Sequence, residues 1–250
     1  MHINAKGLVL RAVDYKETDK ILTVLTDEGG KRTVKARGCR RRGSRLAAAA
    51  QLLVYSDMTL FEYRDYYTLN EAETLEQFLG VRTDVALLSL GSYFAEVMEA
   101  VAEEGRGEPA LLSLILNCLY ALDKLKKPPA LVKAAFELKL MCLAGYQPLL
   151  DACAVCGAPQ PDEPMFHLGE GVLCCRRCLE GAGAGQVRPL DQASLAAMRH
   201  VVYGDPKRLF SFPIGPAGLE RLGSACEDFM LTQLDRGFRT LEFYRRMEGG

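Results

Sequence analysis

Along the first third of the chain, apolar and polar positions alternate with a period of two. Leu8, Leu10 and Ala12 alternate with Val9, Arg11 and Val13, and the run from Ile21 to Thr26 (ILTVLT) repeats the pattern, so both predict strands. Between the second and third strands stands Asp27-Glu28-Gly29-Gly30, whose glycines supply the positive φ of a tight hairpin. Lys31 to Arg37 resumes as a strand, with Thr33, Lys35 and Arg37 on one face and Val34 and Ala36 on the other. Gln51 to Tyr63 predicts a long strand, and Tyr66 to Asn70 a short fifth. About five strands within residues 1–78 predict a small closed barrel, because closure removes exposed edges.

After Glu71 the period changes to that of helices. From Val85 to Glu104 the apolar positions Leu87, Leu88, Leu90, Phe94, Val97, Met98 and Val101 share a helical face, and Gly105, Gly107 and Pro109 end it. Ala110 to Leu125 and Ala130 to Ala144 predict two more helices, separated by Lys126-Lys127-Pro128-Pro129. Asp191 caps a helix running through His200, Gly204 to Pro216 is a loop, and Gly218 to Met247 holds one or two further helices. A cysteine-rich insert at about 151–180 interrupts the helical pattern and leaves through Gly181 to Gly185 as a flexible exit. The predicted class is therefore α+β and multidomain: a barrel over residues 1–78, then a helical domain over residues 79–250 that carries the insert.

Composition changes this picture little. The 250 residues are 49% hydrophobic and 25% charged, the ordinary globular mixture. No run approaches the roughly 18 to 20 apolar residues that span a bilayer, and Arg11 and Asp14 interrupt any leader-like stretch at the start. The expected setting is cytoplasmic, with no membrane partner. Net charge is −1, so any basic binding surface must be local.

Five of the nine cysteines lie between Cys153 and Cys178. Cys153-Ala-Val-Cys156 and Cys175-Arg-Arg-Cys178 are two C-x-x-C pairs with 18 residues between them, a spacing that suits one structural Zn2+ per chain. Buried thiols and redox disulfides are the competing explanations. Cys174 beside Cys175 leaves the third ligand open between them, with C-x-x-C favouring Cys175. His167 is a substitute ligand or, by preference, a surface histidine. Four thiolates close the metal's shell, so such a site stabilises the fold and performs no chemistry. Cys39, Cys118, Cys142 and Cys226 read as isolated thiols, the last three in helix cores.

Lys31 to Arg45 (KRTVKARGCRRRGSR) holds eight basic residues in fifteen and no acid. A basic strand face feeding a basic loop suits a barrel that tracks phosphates. The nearby aromatics Tyr55, Phe61, Tyr63, Tyr66 and Tyr67 are placed by strand spacing chiefly in the barrel core, with base stacking as the alternative.

The text GLVLRAVDYKETDKILTVLTDEGGK followed by VKARGCRRRGSRL resembles the bacterial recombination mediator family RecO, as do AGYQPLLDACAVCG and GVLCCRRC further on. The resemblance spans essentially the whole chain. It implies an OB-fold barrel, a helical domain with a zinc insert, and a role in DNA repair and recombination rather than catalysis. It further implies binding of single- and double-stranded DNA, ATP-independent annealing of complementary strands, contact with the tail of single-strand-binding protein, and partnership with RecR in loading RecA. It places DNA contacts at Lys35, Arg37, Arg40, Arg41, Arg42 and Arg45, and the protein at the nucleoid. For the acidic, apolar tail, chemistry alone nominates Lys124, Lys126, Lys127 and Lys133 beside helical apolar positions.

Rival readings are poorer. The chain has no H-x-E to pair with a zinc-deaminase P-C-x-x-C, and no G-x-x-x-x-G-K-[ST] phosphate loop. A sequence-specific regulator would need base-edge readers, whereas the basic run promises phosphate contacts.

Overall fold

The computed structural model describes residues 1–64, 66–182 and 185–248. The chain forms two compact units, one of residues 1–125 with 238–250 and one of residues 126–237. No helix among the described residues is long and apolar enough to cross a membrane.

The first unit opens with five strands: β1 (His2–Tyr15), β2 (Asp19–Thr26), β3 (Gly30–Ala36), β4 (Tyr55–Tyr63) and β5 (Tyr66–Glu76). They close into an OB-like barrel in the order β1-β2-β3-β5-β4, with β4 returning to β1. All pairings are antiparallel except β3 with β5, which run parallel at Val34↔Tyr67 and Lys35↔Thr68. β1 is long enough to serve both β2 and β4, and Gly7 is paired with both, to Thr26 and to Ser56. A Cβ there would lie 2.5 Å from Val24 Cγ1, which only glycine avoids. The interior is filled by Val9, Leu22, Val24, Val34, Ala36, Met58, Leu60 and Leu69, all buried.

Several boundaries differ from the sequence reading, each for a local reason. The residues before Tyr55 are a turn rather than strand: Leu53 takes a positive φ of 60° and bonds back to β1 through its N–H on the Val9 carbonyl at 2.9 Å. β5 continues past Asn70 to Glu76, because pairing with β4 reaches as far as Tyr55↔Glu76 despite the acidic text. In the β2–β3 hairpin only Gly30, at φ 61°, is left-handed, and its missing side chain also admits the carbonyls of Glu103 and Arg106.

Helices α1 (Leu79–Arg82), α2 (Val85–Val101), α3 (Pro109–Asp123) and the C-terminal α7 (Arg239–Glu248) complete this unit. Asp84 caps α2 by accepting the Leu87 N–H at 3.0 Å. α7 packs on α2, where the Thr240 N–H donates to Glu96 Oε2 at 3.0 Å and Phe238 meets Tyr93 edge-on at 6.2 Å.

The second unit packs α4 (Pro129–Leu143) against α5 (Gln192–Tyr203) and α6 (Pro216–Leu234). α4 is covered on almost every side, which is why its text is apolar all round. Lys133 is buried in it and pairs with Glu137 at 2.8 Å and with Glu227 of α6 at 2.6 Å. Pro109, Pro129 and Pro216, read in the sequence as breaks, are first helical residues, where a missing N–H is no loss. The insert contains two strands that hydropathy did not reveal, β6 (Pro164–His167) and β7 (Val172–Cys175), and β8 (Val187–Pro189) beyond it joins them in the order β7-β6-β8. Part of its expected glycine-rich exit, residues 183 and 184, lies outside the described residues.

Asp191 caps α5 in a full capping box: its carboxylate accepts the Ser194 N–H at 2.7 Å, while Ser194 Oγ accepts the Asp191 N–H at 2.9 Å. The Ser194 N–H, ahead of the opposing effect of burial, holds the Asp191 pKa below its ordinary value. Replacing Asp191 with Ala is expected to cost about 1 kcal/mol, seen as a lower urea midpoint at unchanged slope. Because the folded pKa is depressed, that difference should persist above about pH 4 and vanish as pH falls through the folded value.

Candidate nucleic-acid interface and candidate metal centre

Barrel closure brings residues from all five strands into one outward-facing row. Ile21 pairs with Lys35, Lys35 with Thr68, Thr68 with Phe61, and Phe61 with His2. This row forms the floor of an open groove of about 870 Å3, which Tyr15, Arg37, Tyr63 and Tyr66 also line. On β4 the inward positions are Ser56, Met58 and Leu60, so Phe61 and Tyr63 are turned out. Phe61 is 40% exposed, Tyr63 58% and Tyr66 78%. This corrects the core expectation for Phe61, Tyr63 and Tyr66, which take the positions alternating with the inward Leu60 and Leu69, whereas Tyr67 packs partly buried against the barrel core.

Cations stand around the rings. Lys35 Nζ lies 4.8 Å from the centre of Tyr15, with Lys16 on the same ring at 5.6 Å. Arg64 lies over Tyr63 at 5.2 Å and Arg32 over Tyr67 at 4.9 Å. Lys35 also pairs with Asp19 at 3.3 Å. Asp19 has its pKa lowered chiefly by the Gly38 N–H that it accepts at 2.8 Å.

The predicted basic positions divide into two groups. Lys35 and Arg37 line the groove, while Arg40, Arg41, Arg42 and Arg45 are exposed on the connection from β3 to β4. Arg40 pairs with Asp14 at 3.2 Å, and its N–H donates to the Thr18 carbonyl at 2.9 Å, which holds the start of that connection beside the β1–β2 turn. His2, Tyr15, Lys16 and Arg64 belong to the same surface and went unnoticed in the sequence, since nothing local links them to the basic run.

The second site lies in the insert. The sulfurs of Cys153, Cys156, Cys175 and Cys178 all fall within 4.8 Å of one another, and those of Cys156 and Cys175 are 3.7 Å apart. A tetrahedral ion with metal–sulfur bonds of ~2.3 Å needs sulfurs roughly 3.8 Å apart, so the set fits a four-sulfur metal. Local backbone builds this geometry. Gly157, at φ 72°, donates its N–H to the Cys153 carbonyl at 2.9 Å and turns the first pair back on itself. The β6–β7 hairpin delivers Cys175 at its end, and the 3-10 segment Arg176–Ala182 then presents Cys178.

Cys175 belongs to the cluster and Cys174 does not, although Cys174 is fully buried next to it. His167 lies outside the cluster too. It is 2% exposed rather than on the surface, because β6 is covered on both faces, and its Nδ1 accepts the Glu170 N–H at 3.2 Å.

The thiols are not equivalent. At Cys153 burial opposes ionisation, but the N–H groups of Cys156, Cys175 and Val155 outweigh it and bring the pKa down to about 6. Burial, reinforced by Cys156 and Cys153, pushes Cys175 up to about 12. Burial likewise raises Cys178. A first thiolate thus opposes the next, and a cation held by the cluster would allow all four to be charged at once. Arg177 faces this charge, and its guanidinium is held more firmly protonated by Cys175 and Cys156.

An OB-like barrel with a cationic, aromatic outer groove, followed by a helical region bearing a four-cysteine cluster, defines a multidomain α+β protein of the barrel-plus-helical class. Comparison with known sequences makes this specific. Residues 1–78 match the family described as Recombination protein O N terminal, and residues 82–242 match Recombination protein O C terminal. The DNA repair protein RecO of Acetivibrio thermocellus is 30% identical over 247 residues, covering 99% of this chain and 98% of that one. That of Alkaliphilus metalliredigens is 32% identical over 248 residues, covering 99% of this chain and all of its own. The chain belongs to the RecO family of DNA repair proteins.

Co2+ provides a spectroscopic check on the cluster. The intact chain is expected to show the thiolate charge-transfer and visible bands of a tetrahedral four-sulfur ion. Cys174→Ala should keep that spectrum and Cys175→Ala should lose it; the reverse pattern would exchange the two ligands.

Proposed function

We propose that the chain is a recombination mediator that binds single- and double-stranded DNA, anneals complementary strands without nucleotide hydrolysis, and with RecR helps to load RecA onto strands coated with single-strand-binding protein. The observation that carries the reading is the barrel surface on which Lys35 and Arg37 join a row of exposed aromatics, continued by the exposed Arg40, Arg41, Arg42 and Arg45. Two polyanionic strands repel each other. A cationic surface that holds both lowers this repulsion and leaves base edges free to pair, so annealing requires no bond to be made or broken.

In this reading residues 1–78 are the DNA-binding domain and residues 79–250 the helical domain. One Zn2+ on Cys153, Cys156, Cys175 and Cys178 keeps the insert at about 151–180 folded. The closed sulfur set supports a structural ion, since it offers no position for an activated water. The protein would act in the cytoplasm, at the nucleoid.

The acidic, apolar tail of single-strand-binding protein calls for a greasy groove beside cations. Lys133 is unsuited, being buried against Glu137 and Glu227, and Lys124 is engaged by Asp123 at 2.7 Å. A groove of about 410 Å3 between α2 and α7, lined by Val85, Leu88 and Phe243 with Arg239 at its side, suits that peptide better.

Two measurements test the reading. Annealing of complementary strands pre-coated with single-strand-binding protein, without nucleotide, should accelerate and fade with salt; no acceleration by folded, metal-loaded protein would refute the mediator role. Replacing Arg40, Arg41 and Arg42 together with Ala should weaken DNA binding alike across sequences and reduce the salt slope by roughly two to three. An unchanged slope would remove the connection from the interface.

A further inference from the structure

Large aromatic side chains on the outside of a small barrel are unfavourable unless something covers them, and contiguous exposed apolar surface marks a binding site. Tyr66 is 78% exposed, with no ring or hydrogen-bond partner for its side chain among the described residues. Tyr63 stands directly opposite it on β4, and Phe61 is next on the same face. The three rings thus form a short ladder around the β4–β5 turn, bordered by Lys35, Arg37 and Arg64.

Toward the other end of the same strands the outer face reverses its charge. Asp57 lies opposite Glu73, and Thr59 opposite Glu71. Like charges paired across strands are themselves unfavourable, and together they repel a phosphate chain. Even with Lys6 of β1 beside Asp57, these three carboxylates make that end of the β4–β5 face less favourable to a polyanion than the aromatic end.

A duplex cannot use this ladder. Its bases are already stacked inside, and extruding one costs a few kcal/mol, whereas the bases of a single strand are free to lie on side-chain rings. The exposed loop arginines, by contrast, offer charge without rings, which suits the phosphates that both forms of DNA present.

Building on the DNA-binding reading above, we propose that the groove selects unpaired nucleotides by stacking bases on Tyr63, Tyr66 and Phe61 while Lys35 and Arg37 take the adjoining phosphates, and that duplex is held through the Arg40–Arg45 connection. The barrel then carries two neighbouring DNA surfaces of different selectivity. Single-strand preference comes from the rings and salt dependence from the cations.

The test compares three fluorescent ligands of equal length at one salt concentration: oligothymidylate, an abasic strand with the same phosphates, and a duplex. The full-length, metal-loaded chain should bind oligothymidylate about tenfold or more tighter than the abasic strand, in line with the known strength of base–aromatic stacking. The double variant Tyr63→Leu/Tyr66→Leu should erase that gap, leaving duplex affinity and the salt slope as they were. Equal binding of the two single strands by the unmodified chain would overturn the proposal without recourse to any variant. So would a variant that weakens duplex and single strand alike. Failure to bind any of the three ligands would instead overturn the underlying DNA-binding reading, and this inference with it.

Discussion

Closure of five short strands into one barrel is the constraint from which the first unit's surface follows. The parallel contact of β3 with β5 completes the ring, and completion admits to the interior only side chains such as Val34, Ala36, Met58 and Leu60. Every alternate position is then compelled outward. On β4 this places Asp57 and Thr59 toward one end and Phe61 and Tyr63 toward the other, so packing demand inside creates a polarised face outside. Gly7 contributes where β1 pairs with both neighbours, because a Cβ there would collide with Val24.

The insert of the second unit rests on a different balance. Its two strands are of four residues each and the third strand of their sheet has three, too short to be stable alone, and the hairpin's last residue is itself one of the clustered thiols. N–H donors around Cys153 favour one thiolate, and that charge raises the cost of the others. The clustered sulfurs could hold a metal ion, whose charge would offset that of the thiolates and whose uptake would then be coupled to folding of the insert. Elsewhere in the unit the opposite solution appears: Lys133 is buried with two carboxylates already at hand, so its charge is matched within the protein.

What the sequence by itself determined is whatever depends on neighbours in the chain. Alternation of two residues marked the strands, the 3.6-residue period marked the helices, Asp191 marked a cap, and the C-x-x-C spacing marked a four-cysteine site, because each needs only a few consecutive residues to take shape. The same locality misled at Pro109, Pro129 and Pro216, where a residue that stops one helix equally well begins another. It also misled at β5, where the partner strand rather than composition sets the length.

Only the tertiary structure decided which residues share a surface. His2, Ile21, Lys35, Phe61 and Thr68 come from five strands, and no spacing in the chain announces that they lie in one row. Their alignment follows from register, including a parallel pairing between strands separated by a long connection, and a slip of one residue would have sent Phe61 inward. The distinction between Cys174 and Cys175 is of the same kind. Adjacent in sequence and both buried, they differ in placement because successive strand residues face opposite ways, and which way faced the other thiols was settled by the fold around them.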